Sequence, residues 1–200
     1  SNIEYRFGRF GQAAVFNGTD SKIDTGAALV SNQSAFSFSV WVNFDNLSTH
    51  NMIIANSESS GNGQLMMYGW TDGNIYFQPD STLSSNRGYL STSGIITTNE
   101  WVNIVMVFDG SATGNSNRLK AYIQGQARTL TYQGTIPSST GTVTNNTYIG
   151  GRGSQSHSFH GEIDQVRIYD AALTSSQVTE LYNEKPEVDT SNFKTVLYEG

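Results

Sequence analysis

A chain of 200 residues with no cysteine, 36% hydrophobic and 12% aromatic, with 83 positions filled by Ser, Thr, Asn or Gly, suits many short strands joined by polar turns around one core. Its formal charge is -6 and its 11 Lys and Arg are scattered, so it has no basic stripe to neutralise nucleic-acid phosphates or anionic lipid. The missing thiols exclude a disulfide framework and a thiolate metal site, and no run approaches the roughly 18 consecutive apolar residues of a membrane span.

Residues 13–16 and 22–24 read as short strands on either side of an Asn-Gly turn. From 36 to 44 the even positions are all apolar and the odd ones are Ser37, Ser39, Trp41 and Asn43, which is the period of a half-buried strand. Trp41 falls on the polar side, so it either lines an open sheet face or lies under a loop. Residues 53–55 add another short strand. Residues 64–69 and 74–78 flank Trp70-Thr71-Asp72-Gly73, and Asp-Gly between two apolar-aromatic runs predicts a hairpin. Residues 101–108 are apolar on both faces except at Asn103, which predicts a strand covered on both sides and placed centrally. Asp109-Gly110 ends it, and after a polar loop residues 119–123 form the antiparallel return, closed by Gln124-Gly125. Further strands at 128–132, 147–149 and 163–169 bring the count to what two packed sheets require.

The expected core comprises Phe38, Val40, Val42, Ile104, Met106, Phe108, Val166 and Ile168. One helix is predicted after Leu173. Thr174 and Gln177 make a capping box, Leu173 and Val178 a hydrophobic staple, and Val178, Leu181 and Tyr182 an apolar stripe. Residues 1–184 are read as one domain, and 185–200 as a charged linker and the start of a following segment, with strand-like composition at 193–198. The opening Ser1-Asn2-Ile3 carries neither Met nor an apolar signal segment, as expected for a piece of something larger.

Four separated segments resemble, in order, the laminin G-like and pentraxin-like group of concanavalin A-type jelly rolls over roughly residues 11–184. Residues 14–23, Ala-Val-Phe-Asn-Gly-Thr-Asp-Ser-Lys-Ile, are similar to its opening strand, turn and strand. Phe38-Ser39-Val40-Trp41-Val42 resembles a core strand, and Trp101-Val102-Asn103-Ile104-Val105 with Phe108-Asp109-Gly110 a later strand and turn. Tyr148-Ile149-Gly150-Gly151 followed by residues 159–173 resembles the closing block. The resemblance implies an all-β, two-sheet antiparallel jelly-roll sandwich with one short C-terminal helix. It also implies a structural calcium held by Asn17, Asp20 and Asp164, hard oxygen donors of the kind that ion prefers. A side-chain cation is the other partner open to Asp164. Asn103 stands where the family usually has His, and Ser21 where a second acidic residue is common.

Laminarinase-type glucanases of this broad fold use alternating carboxylates on one strand face. Glu162-Ile163-Asp164 begins such a run, but Val166 and Arg167 occupy the places a second Glu would need. With only His50, His157 and His160, and no G-x-S-x-G elbow, no catalytic triad can be built. His157 and His160 lack an evident third metal ligand. Sugar recognition combines an aromatic platform with side chains that fork onto hydroxyls. Two loop regions qualify: Tyr68, Trp70 and Asp72 with Asn74, and Asn86, Arg87 and Tyr89 with Arg152 and His157 as neighbours. The expected function is therefore a non-catalytic carbohydrate- or glycan-binding or adhesion module of a larger extracellular, cell-surface or virion protein. The alternative is a purely structural domain of a phage fibre or surface assembly, with a polysaccharide hydrolase further behind. Expected partners are a glycan or cell-surface polysaccharide and other domains of the parent chain, without nucleic acid or membrane insertion.

Overall fold

The computed structural model describes residues 3–56, 65–79, 85–153 and 157–185. In chain order the strands are β1 (Glu4–Phe7), β2 (Gln12–Asn17), β3 (Ile23–Asp24), β4 (Ala35–Phe44), β5 (Asn51–Ala55), β6 (Met66–Gly69) and β7 (Asn74–Gln78). They continue with β8 (Arg87–Ser91), β9 (Trp101–Asp109), β10 (Leu119–Ile123), β11 (Gln126–Arg128), β12 (Thr131–Gln133), β13 (Tyr148–Ile149) and β14 (His160–Tyr169). Two helices complete the described residues, α1 (Asn115–Arg118) and α2 (Ser175–Asn183). The first sheet has the order β1-β2-β14-β4-β9-β10-β11 and the second β12-β8-β7-β6-β5-β13-β3, all pairs antiparallel. The fold is a concanavalin A-like jelly-roll sandwich. Among the described residues no helix is long and apolar enough to cross a membrane.

Strict alternation along β4 and β9 sends Phe36, Phe38, Val40, Val42, Ile104, Met106 and Phe108 inward, where they meet Ile53, Met67, Ile75, Phe77 and Leu90 of the second sheet. Each fully buried side chain of this size contributes about 1.5–3 kcal/mol relative to an exposed one. The closing strand β14 lies between β2 and β4 and carries a bulge between Asp164 and Arg167, with Gln165 at φ 48. The extra residue lets Ile163, opposite Val42, and Ile168, opposite Phe38, share the core face although they are five positions apart. Val166 and Ile168 pack against the core but remain partly exposed, so they form its margin rather than its centre. At the start of the same strand Gly161 has φ 136, and a Cβ there would fall 2.0 Å from the Asn43 carbonyl oxygen.

Several elements depart from the sequence expectations. The strand expected at 128–132 divides: β11 pairs with β10 in the first sheet, whereas β12 pairs with β8 in the second, so the chain changes sheets at Thr129-Leu130. The polar loop after Asp109-Gly110 contains the single turn of α1, and β1 and β8 arise where no strand was anticipated. The residue at 64 and the strand-like run at 193–198 lie outside the described residues.

Helix α2 begins with the predicted capping box, Thr174 accepting from the Gln177 N–H and Gln177 from the Thr174 N–H. Val178 is completely buried against Val105, Val107 and Tyr122, the second apolar face of β9 and its neighbour β10. One turn on, Tyr182 stacks on Trp41 at 5.8 Å, while Phe10 meets the same indole edge-on at 6.0 Å. Trp41 is therefore covered, and by a helix as well as a loop.

Candidate functional site

The outer face of the second sheet is built differently. Met67 of β6 points into the core, so period two turns Met66 and Tyr68 outward, where they cluster with Met52, Ala55 and Tyr76. Register carries the face across the sheet, with Tyr68 opposite Tyr76, Tyr76 opposite Tyr89 and Tyr89 opposite Thr131. The rings form a ladder: Tyr68 and Tyr76 stack at 5.1 Å and 12°, and Tyr76 and Tyr89 lie 5.3 Å apart.

The β6–β7 turn extends this ladder at one end. The Gly73 N–H donates to the Trp70 carbonyl and Gly73 takes φ 74, the three-residue hairpin geometry that Asp-Gly favours. Trp70 is thereby held edge-on to Tyr68 at 5.9 Å. His50, just before β5, lies 3.9 Å from the Trp70 ring and 4.5 Å from His157, which in turn lies parallel to Trp70 at 6.0 Å. Asp72 on the turn accepts a 2.5 Å hydrogen bond from the Tyr76 hydroxyl and one from the Asn74 N–H at 3.0 Å.

Two guanidinium groups meet the face. Arg87 sits 4.4 Å above the Tyr76 ring, donates through Nη1 to the Tyr68 hydroxyl at 2.6 Å and through Nε to Gln133 Oε1 at 2.7 Å. Arg152 is only 6% exposed, and its Nη2 lies 3.1 Å from the Met66 sulfur. Among the described residues its Nε has no acceptor, nor does the buried Nδ1 of His157 have a partner. Among the described residues no carboxylate forms an ion pair with Arg152.

The electrostatics follow from this crowding. Burial lowers the pKa of His50 and His157, and the Arg152 charge lowers both further, with His50 adding to the effect on His157. Burial pushes the Tyr76 hydroxyl up to about 12, and its bond to Asp72 acts in the same direction. Burial also tends to raise Asp72, but the hydrogen bonds from Tyr76 and Asn74 outweigh it and leave the carboxyl below its ordinary value. The pair stays carboxylate and neutral phenol across neutral pH.

The two loop regions picked out in the sequence thus belong to one surface. Arg87 and Tyr89 are strand residues of β8 rather than loop residues, and their register opposite β7 brings them to Tyr68 and Tyr76. Asn86 has a different role: its Oδ1 accepts the Thr135 N–H at 3.1 Å and ties the start of β8 to the chain beyond β12. Tyr76 and His50 were missed. The alternation Asn74, Tyr76 could have revealed the first, but nothing local to His50 announces that β5 will carry it to Trp70.

The three residues named for calcium do not fit one ion. Asn17 pairs with His160 across β2 and β14, so Asp164 lies four residues further along, roughly 13 Å at strand rise. The Asn17 Oδ1 accepts the N–H groups of Thr19, Asp20 and Ser21, and its Nδ2 donates to Asp20, which makes a closed turn. Asp164 is buried, and its two oxygens accept the Phe10 and Gln165 N–H groups at 2.8 and 2.7 Å. Neighbouring Glu162 accepts from Asn43 Nδ2 at 3.2 Å. His160 is separate from His157, 3.4 Å from Asp45. Asn103 donates to the Val40 carbonyl at 3.2 Å, while its own Oδ1 is buried without a partner among the described residues.

Two seven-stranded antiparallel sheets packed face to face are the architecture of the concanavalin A-like jelly rolls. Residues 17–179 match the concanavalin A-like lectin/glucanases superfamily, and the chain belongs to that family. Domain 4 of AbnA, a GH43 extracellular arabinanase from Geobacillus stearothermophilus solved in complex with arabinotriose, is 31% identical and superposes with a TM-score of 0.69, covering 92% of this chain and 82% of that one. The binding domain of botulinum neurotoxin serotype G is 15% identical with a TM-score of 0.60, covering 91% of this chain and 44% of that one. The Ruminococcus gnavus IT-sialidase CBM40 bound to α2,3-sialyllactose is 11% identical with a TM-score of 0.56, covering 82% of this chain and 97% of that one. The last two likenesses are likenesses of fold. No curated protein sequence matches the chain.

Proposed function

We propose that the domain is a non-catalytic oligosaccharide-binding module of a larger secreted or surface protein, with its site on the outer face of the second sheet. The observation that carries this reading is the convergence of the partly exposed Trp70, Tyr89, Arg87 and His157 and the exposed Asp72 on one side of the second sheet, over the buried Tyr68, Tyr76 and Arg152. Pyranose and furanose rings present apolar C–H faces that dock against aromatic rings, and their hydroxyls need donors and acceptors at the rim. The arabinotriose complex of the 31% identical domain supports an oligosaccharide as the ligand. The absence of catalysis is supported by the first sheet, where Glu162 and Asp164 are already engaged with Asn43 and with backbone N–H groups.

Calorimetric titration of the chain with arabinotriose and a panel of plant and microbial oligosaccharides tests the reading. At least one is expected to bind, Trp70→Ala is expected to weaken it about tenfold or more, and none is expected to be cleaved. Binding that ignores Trp70→Ala, or hydrolysis abolished by Glu162→Gln, overturns it.

A further inference from the structure

We infer that the sugar this face selects is acidic, and that Arg152 reads its carboxylate. The inference rests on the proposed binding site and deepens it. A guanidinium taken out of water is ordinarily held by a carboxylate, because an unpaired buried cation loses hydration without recompense. Arg152 is 6% exposed, has among the described residues neither a carboxylate partner nor an acceptor for Nε, and sets Nη2 against a thioether, a weak acceptor at best. The other cation on this face is occupied, since Arg87 is committed to Tyr68 and Gln133. The carboxylate on the same turn is also engaged, since Asp72 accepts from Tyr76 and Asn74.

What is missing is a planar, singly charged acceptor pair, which a uronate carboxylate supplies: its two oxygens match the fork of a guanidinium. The buried Nδ1 of His157 is a second polar atom of the same cluster with no partner among the described residues, and a sugar hydroxyl suits it.

The test is a calorimetric comparison of trigalacturonate, its fully methyl-esterified form and arabinotriose on the whole chain. Trigalacturonate is expected to bind about tenfold or more tightly than its ester, the increment of a charge-assisted paired hydrogen bond. Arg152→Gln is expected to bring the acid and the ester to equal affinity, and Arg152→Lys, which keeps the charge but loses the fork, to forfeit most of the preference. An unpaired buried charge also leaves a thermal signature, since Arg152→Gln should melt no lower than the parent and trigalacturonate should raise the parent's melting temperature more than the variant's. Equal binding of acid and ester by the parent, with Trp70→Ala still weakening both, overturns the acid preference and leaves the oligosaccharide site standing. If none of the three sugars binds and the wider panel also fails, both readings fall. A marked loss of stability in Arg152→Gln would make Arg152 a structural cation and overturn the inference by itself.

Discussion

The two sheets share one core but treat their outer faces in opposite ways, and two tryptophans mark the difference. Trp41, outward on β4, is 5% exposed because the chain returns to cover it: Tyr182 stacks on one side, Phe10 abuts another and the Arg9 guanidinium lies 4.7 Å from the ring. Trp70, just after β6, remains partly exposed and is flanked by His50, His157 and Tyr68. No helix of the described residues packs over it as α2 packs over Val105, Val107 and Tyr122. Where the chain closes an aromatic face with its own apolar residues, the face contributes to stability. Where it keeps rings beside polar atoms that lack partners among the described residues, local consistency has been given up, as the proposed binding role would require.

The contrast can be broken most directly by exchanging the effects of the two indoles. Trp41→Ala is expected to lose about 3–5 kcal/mol of stability, the usual effect of deleting a buried aromatic, with oligosaccharide affinity per folded molecule unchanged. Denaturant titration and calorimetry measure the two quantities separately. Trp70→Ala is expected to do the reverse, with a stability change of about 1 kcal/mol or less and the affinity loss described above. Comparable destabilisation by both substitutions would show that Trp70 is packing and not platform.

A smaller effect sharpens the account of the closed face. Asp164 fastens the turn that carries Phe10 onto Trp41, through the 2.8 Å bond from the Phe10 N–H. Asp164→Asn keeps the shape but replaces one acceptor oxygen with a donor facing a backbone N–H, so a loss of about 1.5–3 kcal/mol is expected. That loss should be the same in calcium and in chelator. A melting temperature that responds to calcium in the parent but not in the variant would instead make Asp164 a metal ligand. Thr174→Ala removes the N-cap of α2 and is expected to lose about 1 kcal/mol without altering sugar binding.

Much of this was legible in the sequence because period-two patterning and turn chemistry are local. The alternation from Phe36 to Phe44 and the double-faced apolarity of residues 101–108 gave β4 and β9 and the need for a cover on the latter, and Thr174 with Gln177 gave the helix that supplies it. Residues 128–132 defeated that reasoning, since one continuous run can leave a sheet and join another wherever the sandwich turns its corner. The bulge at Gln165 is equally hidden, because only the register against β4 shows the extra residue. For the site, residue types were readable but their union was not. Tyr68 and Arg87 are 19 positions apart and meet only because β6, β7 and β8 are consecutive neighbours. The three residues named for calcium show the same dependence on register, as strand rise separates Asp164 from the turn at Asn17.

The smallest expected effect concerns protons in the cluster around Trp70. Burial and the charge of Arg152 place the pKa of His50 and His157 below the ordinary 6.5, with His50 acting further on His157. Among the described residues Arg152 is the charge that acts on both, and Tyr68 beside it is pushed up by burial, against the pull of Arg87, and stays neutral. The native state therefore resists protonation while the unfolded chain accepts protons at the ordinary value. Below about pH 6.5 the unfolded state holds more protons, so the stabilisation is complete above that value and is lost as pH falls through the lowered native values. A modest fall in melting temperature between about pH 7.5 and 5.5 is expected, and the double variant His50→Asn, His157→Asn should flatten it. Arg152→Gln should flatten it in part, since burial, the larger cause, remains. A pH dependence identical in all three proteins would show that the cluster around Trp70 carries no proton-linked strain and would remove the electrostatic half of its contrast with the face around Trp41.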